Sequence, residues 1–248
     1  SDVCSSDLLG EHCNRYTELI SCFNQHQFTV HAFDLRGHGH SGGKRGHTPS
    51  YSSWMNDIDL FINSLTDDHL PLFLYGHSLG GNLVLNHSLL YPPRWKGVIA
   101  TSPALMLSQP PPSLIDKLAY FINIVSPALT VPNGLCAQNL SHDEQIIRAY
   151  TCDPLVHNRI SIRAYRDMVD AGSWALHHAA EYKHPCLIVH GDCDRITDPQ
   201  ASRQFALKAG KNCTCKLYKN GFHELHHDHC CDHLMNDVNS WIQSNLSD

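Results

Sequence analysis

The sequence predicts an α/β protein: a mostly parallel sheet flanked by helices, interrupted by a helical cap insertion. Three observations predict it. Short β-branched and aromatic runs alternate with stretches of helical spacing, the pattern of a parallel sheet covered on both faces. Two of the apolar runs, Leu72 to Tyr75 and Cys186 to His190, are entered from Pro71 and Pro185, as strands bounded by turn signals are. After Pro103 the alternation stops, and about 80 residues pass before the next strand.

Gln27 to Phe33 (QFTVHAF) reads as the first clear strand. The loop that follows, Arg36 to His47 (RGHGHSGGKRGH), looks like a phosphate cradle only superficially. Gly43-Lys44 precedes Arg45 where a P-loop needs Ser or Thr. Tyr51 to Leu65 carries Trp54, Ile58, Phe61, Ile62 and Leu65 at helical spacing. Leu72 to Tyr75 is the next strand, and a helix runs from there to Tyr91, stopped by Pro92-Pro93. Gly97 to Thr101 and Cys186 to His190 are further strands, and Thr214 to Tyr218 is the last. Leu234 to Leu246 closes the chain as a helix. The block from about 104 to 182 holds no convincing strand and reads as the cap, so the core is 9–103 with 183–248.

The 248 residues are enough for one sizeable domain with an insertion. Apolar residues make up 42% and charged residues 17%, which is ordinary globular usage. The net charge of −6, with no basic stripe, argues against a nucleic-acid partner. No apolar run approaches the roughly 18 residues that span a bilayer. The 11 Cys are odd in number and irregular in spacing, which points to free, mostly buried thiols in a reducing cytoplasm rather than a disulfide framework. No obligate protein partner is evident.

The first eight residues, Ser1 to Leu8 (SDVCSSDL), read like a translated sequencing adapter joined to a truncated reading frame. On that reading native sequence starts at Leu9 and the early strands of the fold are missing. A gap would then open between the strands at 27–33 and 72–75, leaving backbone groups unpaired. The 248-residue chain is expected to be poorly stable and weakly active.

The chemistry centres on Gly76-His77-Ser78-Leu79-Gly80-Gly81. G-x-S-x-G between an apolar strand and a helix is the nucleophile elbow. Glycines 76 and 80 leave room for a strained turn, which exposes the Ser78 hydroxyl. The following helix aims its N-terminal N–H groups at a developing oxyanion. A serine hydroxyl needs a base, and folds of this order run Ser, then acid, then His. The strand CLIVH ends in His190-Gly191-Asp192-Cys193-Asp194, which offers Asp194 first and Asp192 second. Asp198 precedes Pro199 and reads as the start of a helix. After the strand TCKLY, the loop Lys219 to His223 supplies His223 as the base.

With these residues in view, the chain resembles the monoacylglycerol lipase and lysophospholipase-like group of α/β-hydrolases, over nearly all of Leu9 to Asp248. The resemblance rests on Gly10-Glu11-His12 with Arg15-Tyr16, Asp34 to Ser41, Arg45-Gly46-His47, Gly76 to Gly81, Asp153-Pro154-Leu155-Val156, His190-Gly191-x-x-Asp194 and Gly221-Phe222-His223. It implies Ser78, Asp194 and His223 as the triad, with Asp194 preferred to Asp192. It implies an oxyanion hole from the backbone N–H groups of Leu79 and Leu9, although Asp7-Leu8 stands where the family has His-Gly. It implies no cofactor, and a single-chain lipid ester as substrate: monoacylglycerol or lysophospholipid, with a generic short-chain ester as the alternative.

In the cap, Leu114, Ile115, Leu118, Phe121, Ile122 and Val125 form an apolar face. Such a face could pack on the sheet, line an acyl pocket through Leu114, Leu118, Phe121 and Ile122, or lean peripherally on a membrane surface. A rival chemistry comes from His223-Glu224-Leu225-His226-His227, which matches H-E-x-x-H and is followed by His229, Cys230, Cys231 and His233. A zinc hydrolase would need both histidines of that motif on one helix face, whereas here it begins on a loop. Metal binding by the 226–233 cluster, without catalysis, is the milder version.

Overall fold

The computed structural model describes residues 2–6, 9–65, 70–91 and 94–246. Asp7, Leu8 and the helix stop at Pro92-Pro93 lie outside these. The chain runs β1 (Asp2–Ser6), α1 (Thr17–Gln25), β2 (Thr29–Ala32), α2 (Tyr51–Ser64), β3 (Leu72–His77), α3 (Leu79–Leu90) and β4 (Gly97–Thr101). The insertion then carries α4 (Ser113–Val125), β5 (Thr130–Pro132), α5 (Glu144–Cys152), β6 (Arg159–Ser161) and α6 (Ile162–His178). The core resumes with β7 (Cys186–Gly191), α7 (Pro199–Ala209), β8 (Cys213–Tyr218) and α8 (Cys231–Leu246).

Six strands form one parallel sheet in the order β2-β1-β3-β4-β7-β8. Its central strands β3, β4 and β7 are buried along their whole length, and alternation along each divides two cores. Leu72 and Leu74 of β3, Val98 and Ala100 of β4 and Ile188 of β7 face one side, against α2, α3, α6 and α7. Phe73, Tyr75, Ile99, Leu187 and Val189 face the other, against α1 and α8. This is why the strands read as continuous apolar runs rather than as alternating ones.

Two expectations are corrected. The place between β2 and β3 is filled: β1 pairs with both, from Asp2 opposite Thr29 and Leu72 onward. Sheet pairing is made by the main chain, so a segment with little strand character of its own can complete a ladder whose neighbours are already in place. The insertion also holds strands, since β5 and β6 pair antiparallel. Each is three residues long, below the length at which periodicity shows. The pair is pinned from outside by Ser161 N–H donating to the Gly46 carbonyl (2.8 Å) and Ile162 N–H to Leu129 (2.9 Å).

The glycine-rich loop after β2 serves as a seat for the cap. Lys44 Nζ donates to the Ala128 carbonyl (2.7 Å), His47 Nδ1 pairs with Ser161 Oγ (2.9 Å) and His157 Nε2 meets the Gly37 carbonyl (3.0 Å). Lys44, His47 and the Gly37 carbonyl are thus committed to the cap. The ten cysteines from Cys13 to Cys231 are free, with Cys186, Cys213 and Cys230 buried and Cys136, Cys152 and Cys193 exposed. Among the described residues no helix is long and apolar enough to cross a membrane.

Candidate active site

Strand β3 ends at His77 and helix α3 begins at Leu79, so Ser78 alone makes the turn between them. It does so at φ 53°, ψ −110°, a conformation costly for a residue with a Cβ. The surroundings enforce it. Ser78 N–H donates to the Thr101 carbonyl (2.9 Å), and the Ser78 carbonyl accepts from Asn82 N–H (3.0 Å) and Ala104 N–H (2.9 Å). Gly76 has to be glycine, since a Cβ there would lie 2.3 Å from the Gly80 carbonyl oxygen. Buried Asn82 extends the brace into the cap, donating to the carbonyls of Ala104 (2.7 Å) and of Met168 in α6 (3.1 Å). The first N–H groups of α3, beginning with Leu79, have no partner within the helix.

Asp194 follows β7 and His223 follows β8, which are adjacent strands, so two residues 29 apart in sequence reach the same rim. His223 Nδ1 meets Asp194 Oδ2 at 2.7 Å, with both side chains fully buried. The same oxygen takes the Thr197 hydroxyl (2.9 Å) and His190 Nε2 (3.0 Å), while Oδ1 accepts the N–H groups of Ile196 (2.7 Å) and Thr197 (3.1 Å). Burial alone would raise the Asp194 carboxyl. The neighbouring His223 and the hydrogen bonds from His190 and His223 outweigh it and hold the group well below the usual carboxylate range. Asp192 is instead taken up by the Asn220 N–H (2.6 Å), and Asp198 caps α7 through Gln200 N–H (2.8 Å).

Nδ1 of His223 is committed to the acid, and Nε2 is buried with no hydrogen-bond partner among the described residues. It is the nitrogen of that ring left open to a proton. The imidazole lies against the ring of His77, the residue before Ser78, with centroids 4.8 Å apart. Burial first, then the His223 ring, holds His77 well below the ordinary histidine range, so it stays neutral beside the site.

A buried ion network ties the two halves of the rim. Arg15 Nε donates to Glu11 (2.9 Å), and its Nη2 to Glu224 (3.0 Å), which also holds His227 Nδ1 (2.7 Å). Glu11 follows Leu9-Gly10, and Glu224 follows His223. The network therefore joins the expected oxyanion segment to the loop of the expected base. His12 adds a link to the cap through Asp153 (2.8 Å). Glu11, His12, Arg15, Asp153 and His190 stand in the sequence only as motif residues without a task, His190 without its role as a support of Asp194, and Thr197 carries no motif at all. The histidine at the end of CLIVH, four residues before the acid, is the one signal that could have raised His190.

The metal-hydrolase reading is corrected by the backbone. Only Leu225–His227 is helical, as a single 3-10 turn, and His223 precedes it. His223 and His227 each turn Nδ1 to a different carboxylate, Asp194 and Glu224, and Glu224 is neutralised by Arg15 rather than poised as a base.

Leu9 is buried in the same core cluster as Leu79. Of the four apolar cap residues assigned to substrate, Leu114 (77% exposed), Leu118 (55%) and Phe121 (61%) face solvent on α4, and Ile122 is half-buried. None lines the cavity of about 500 Å³ between α4, α6, α7 and residues 104–107, whose wall includes Leu105, Tyr165, Met168 and Leu176.

The family model described as "Serine aminopeptidase, S33" matches residues 4–229. The chain is an S33-like α/β-hydrolase. Among solved structures, this S33-like hydrolase is similar to a monoacylglycerol lipase of Paleococcus ferrophilus, at 36% identity and TM-score 0.89, covering 99% of this chain and 95% of that one. It is 31% identical over 241 residues to a monoacylglycerol lipase of Mycolicibacterium smegmatis, covering 96% of this chain and 86% of that protein. It is 33% identical over 241 residues to an uncharacterized abhydrolase domain-containing protein of Dictyostelium discoideum. The chain spans 26% of that protein's length and 60% of that of a Schizosaccharomyces pombe relative.

Proposed function

We propose that the chain is a serine esterase acting on carboxylic esters of single-chain lipids, with long-chain monoacylglycerol as its first substrate. The observation that carries this reading is the buried Asp194–His223 pair, whose remaining nitrogen lies beside the Ser78 elbow with no hydrogen-bond partner among the described residues. Ser78 Oγ attacks the ester carbonyl while His223 Nε2 takes its proton. The tetrahedral oxyanion is held by the N–H groups of Leu79 and Leu9. The imidazolium, stabilised by Asp194, returns the proton to the departing alcohol. Water then enters by the same route and releases the fatty acid. No step calls for a cofactor. The relatives named as monoacylglycerol lipases support the substrate class, and the free thiols fit a cytoplasmic location.

The solvent-facing residues of α4 (Leu114, Ile115, Leu118, Phe121, Ile124 and Val125) give the cap an apolar surface. Patches of this kind mark interaction sites. On this reading α4 rests on the lipid phase from which substrate is drawn, rather than lining a closed acyl pocket. A panel of monooleoylglycerol, lysophosphatidylcholine, a short p-nitrophenyl ester and an aminoacyl amide tests it. The expected order puts monooleoylglycerol first in kcat/KM, and a preference for the amide or the short ester overturns it.

A further inference from the structure

We propose a divalent transition-metal site, of the zinc class, formed by His142 of the cap with Asp228 and His229 of the core. The Asp228 carboxylate is fully buried, and on its Oδ1 converge His142 Nδ1 (2.8 Å) and His229 Nδ1 (3.1 Å). The two rings are about half exposed, so an ion reaches them from solvent. Two ligand atoms about 2.1 Å from a tetrahedral ion lie about 3.4 Å apart, so each imidazole nitrogen needs to draw back from Asp228 Oδ1 by well under about 1 Å, and the three ligand atoms already lie within 4.8 Å of one another. Two nitrogens and one oxygen plus a water complete a four-coordinate shell.

A second observation points the same way. His229 Nε2 lies 3.3 Å from the Lys219 carbonyl. A neutral imidazole has one N–H. When that N–H goes to the carbonyl, Nδ1 turns a lone pair toward the carboxylate oxygen, an arrangement that a cation between them relieves. An imidazole oriented by a backbone carbonyl on its far side is the usual arrangement of a metal ligand. Glu18 and Asp143 line the same cavity of about 430 Å³, and no described Lys or Arg does. The neighbouring trio of Glu224, His226 and His227 differs on this point, because Arg15 already occupies Glu224.

The site joins cap to core beside the catalytic loop. Phe222, which directly precedes His223, donates its N–H to Asp228 Oδ2 (2.8 Å) and stacks on His142 with centroids 3.7 Å apart. A bound ion therefore clamps the cap against the segment that carries the base, and it stabilises the folded state by mass action.

Calorimetric titration of the full chain with ZnCl2, paired with thermal melts, tests this. One equivalent should bind and raise Tm, and the same equivalent should weaken by more than about tenfold in both His142→Ala and His229→Ala. Co2+ should give visible d–d bands without thiolate charge transfer. Unchanged Zn2+ stoichiometry and affinity in both variants, or a Co2+ adduct with a thiolate band, overturns the site. Both variants should keep the wild-type far-UV circular dichroism spectrum and a cooperative melt without added Zn2+, which separates a failure of the site from a failure of the fold.

Discussion

Asp194→Asn is the substitution whose outcome follows most directly from the geometry. Oδ1 accepts two backbone N–H groups, from Ile196 and Thr197. The asparagine oxygen has to take that place, or two donors would face a donor. The NH2 group then falls where Oδ2 stood, against His223 Nδ1, His190 Nε2 and the Thr197 hydroxyl. To accept from it, His223 has to carry its proton on Nε2, the nitrogen that should receive the Ser78 proton. The shape of the site survives and the tautomer is wrong. A loss of about 10⁴ in kcat follows, equivalent to about 5.4 kcal/mol of transition-state stabilisation. The assay is steady-state hydrolysis of a p-nitrophenyl ester with burst-phase titration to count competent sites. A variant that melts cooperatively and keeps activity within tenfold of wild type would refute the reasoning, because Asp194 would then not be setting the imidazole.

Arg15→Met should leave Glu11 and Glu224 buried without their cation, at a cost of about 3–5 kcal/mol. Thermal melts should show a fall in Tm of roughly 6–20 °C for a chain of this size, and a fall under 2 °C would show the network to be dispensable. His38 and His87 are both pushed down to about 4, by burial above all. Each is neutral in the folded chain while its unfolded counterpart protonates near 6.5. Their contribution is thus complete above about pH 6.5 and is lost as pH falls toward 4, at up to about 1.4 kcal/mol per pH unit each. Denaturant midpoints from pH 7.5 to 4.5 should fall accordingly, and His38→Gln should flatten the slope. Replacing Leu118 and Phe121 together by Ser should leave short-ester turnover within about twofold and stability within about 0.5 kcal/mol, because both side chains are exposed. Flotation with lipid vesicles should show binding weakened at least about tenfold, given about 1.5–3 kcal/mol for each large apolar side chain fully buried.

What was legible in the sequence was local. Gly76 to Gly80 announces a turn that only glycine permits at its first position, and the β3 and β4 runs are unbroken because both faces of the sheet are covered. Asp194 and His223 could be named because each sits just past an apolar strand, and the strands turned out adjacent. What was hidden was non-local. β1 is specified by its neighbours' open ladders, and β5 and β6 are too short to show a period. The apolar spacing of α4 leaves packing on the sheet, lining an acyl pocket and leaning on lipid all open, because periodicity records that one side of a helix is apolar and not what it faces; only Ala119 of α4 is buried. The H-E-x-x-H match failed for a related reason. A motif defined on a helix has no meaning where the first histidine stands before the turn begins.

The central claim is that one alcohol, made reactive by the Asp194–His223 pair, carries the acyl group. Intact-mass spectrometry after reaction with a fluorophosphonate, followed by peptide mapping, tests it most directly. A single adduct on Ser78 is expected, absent from Ser78→Ala and formed far more slowly in His223→Ala. An adduct on another residue, or labelling at the wild-type rate after either substitution, would contradict it.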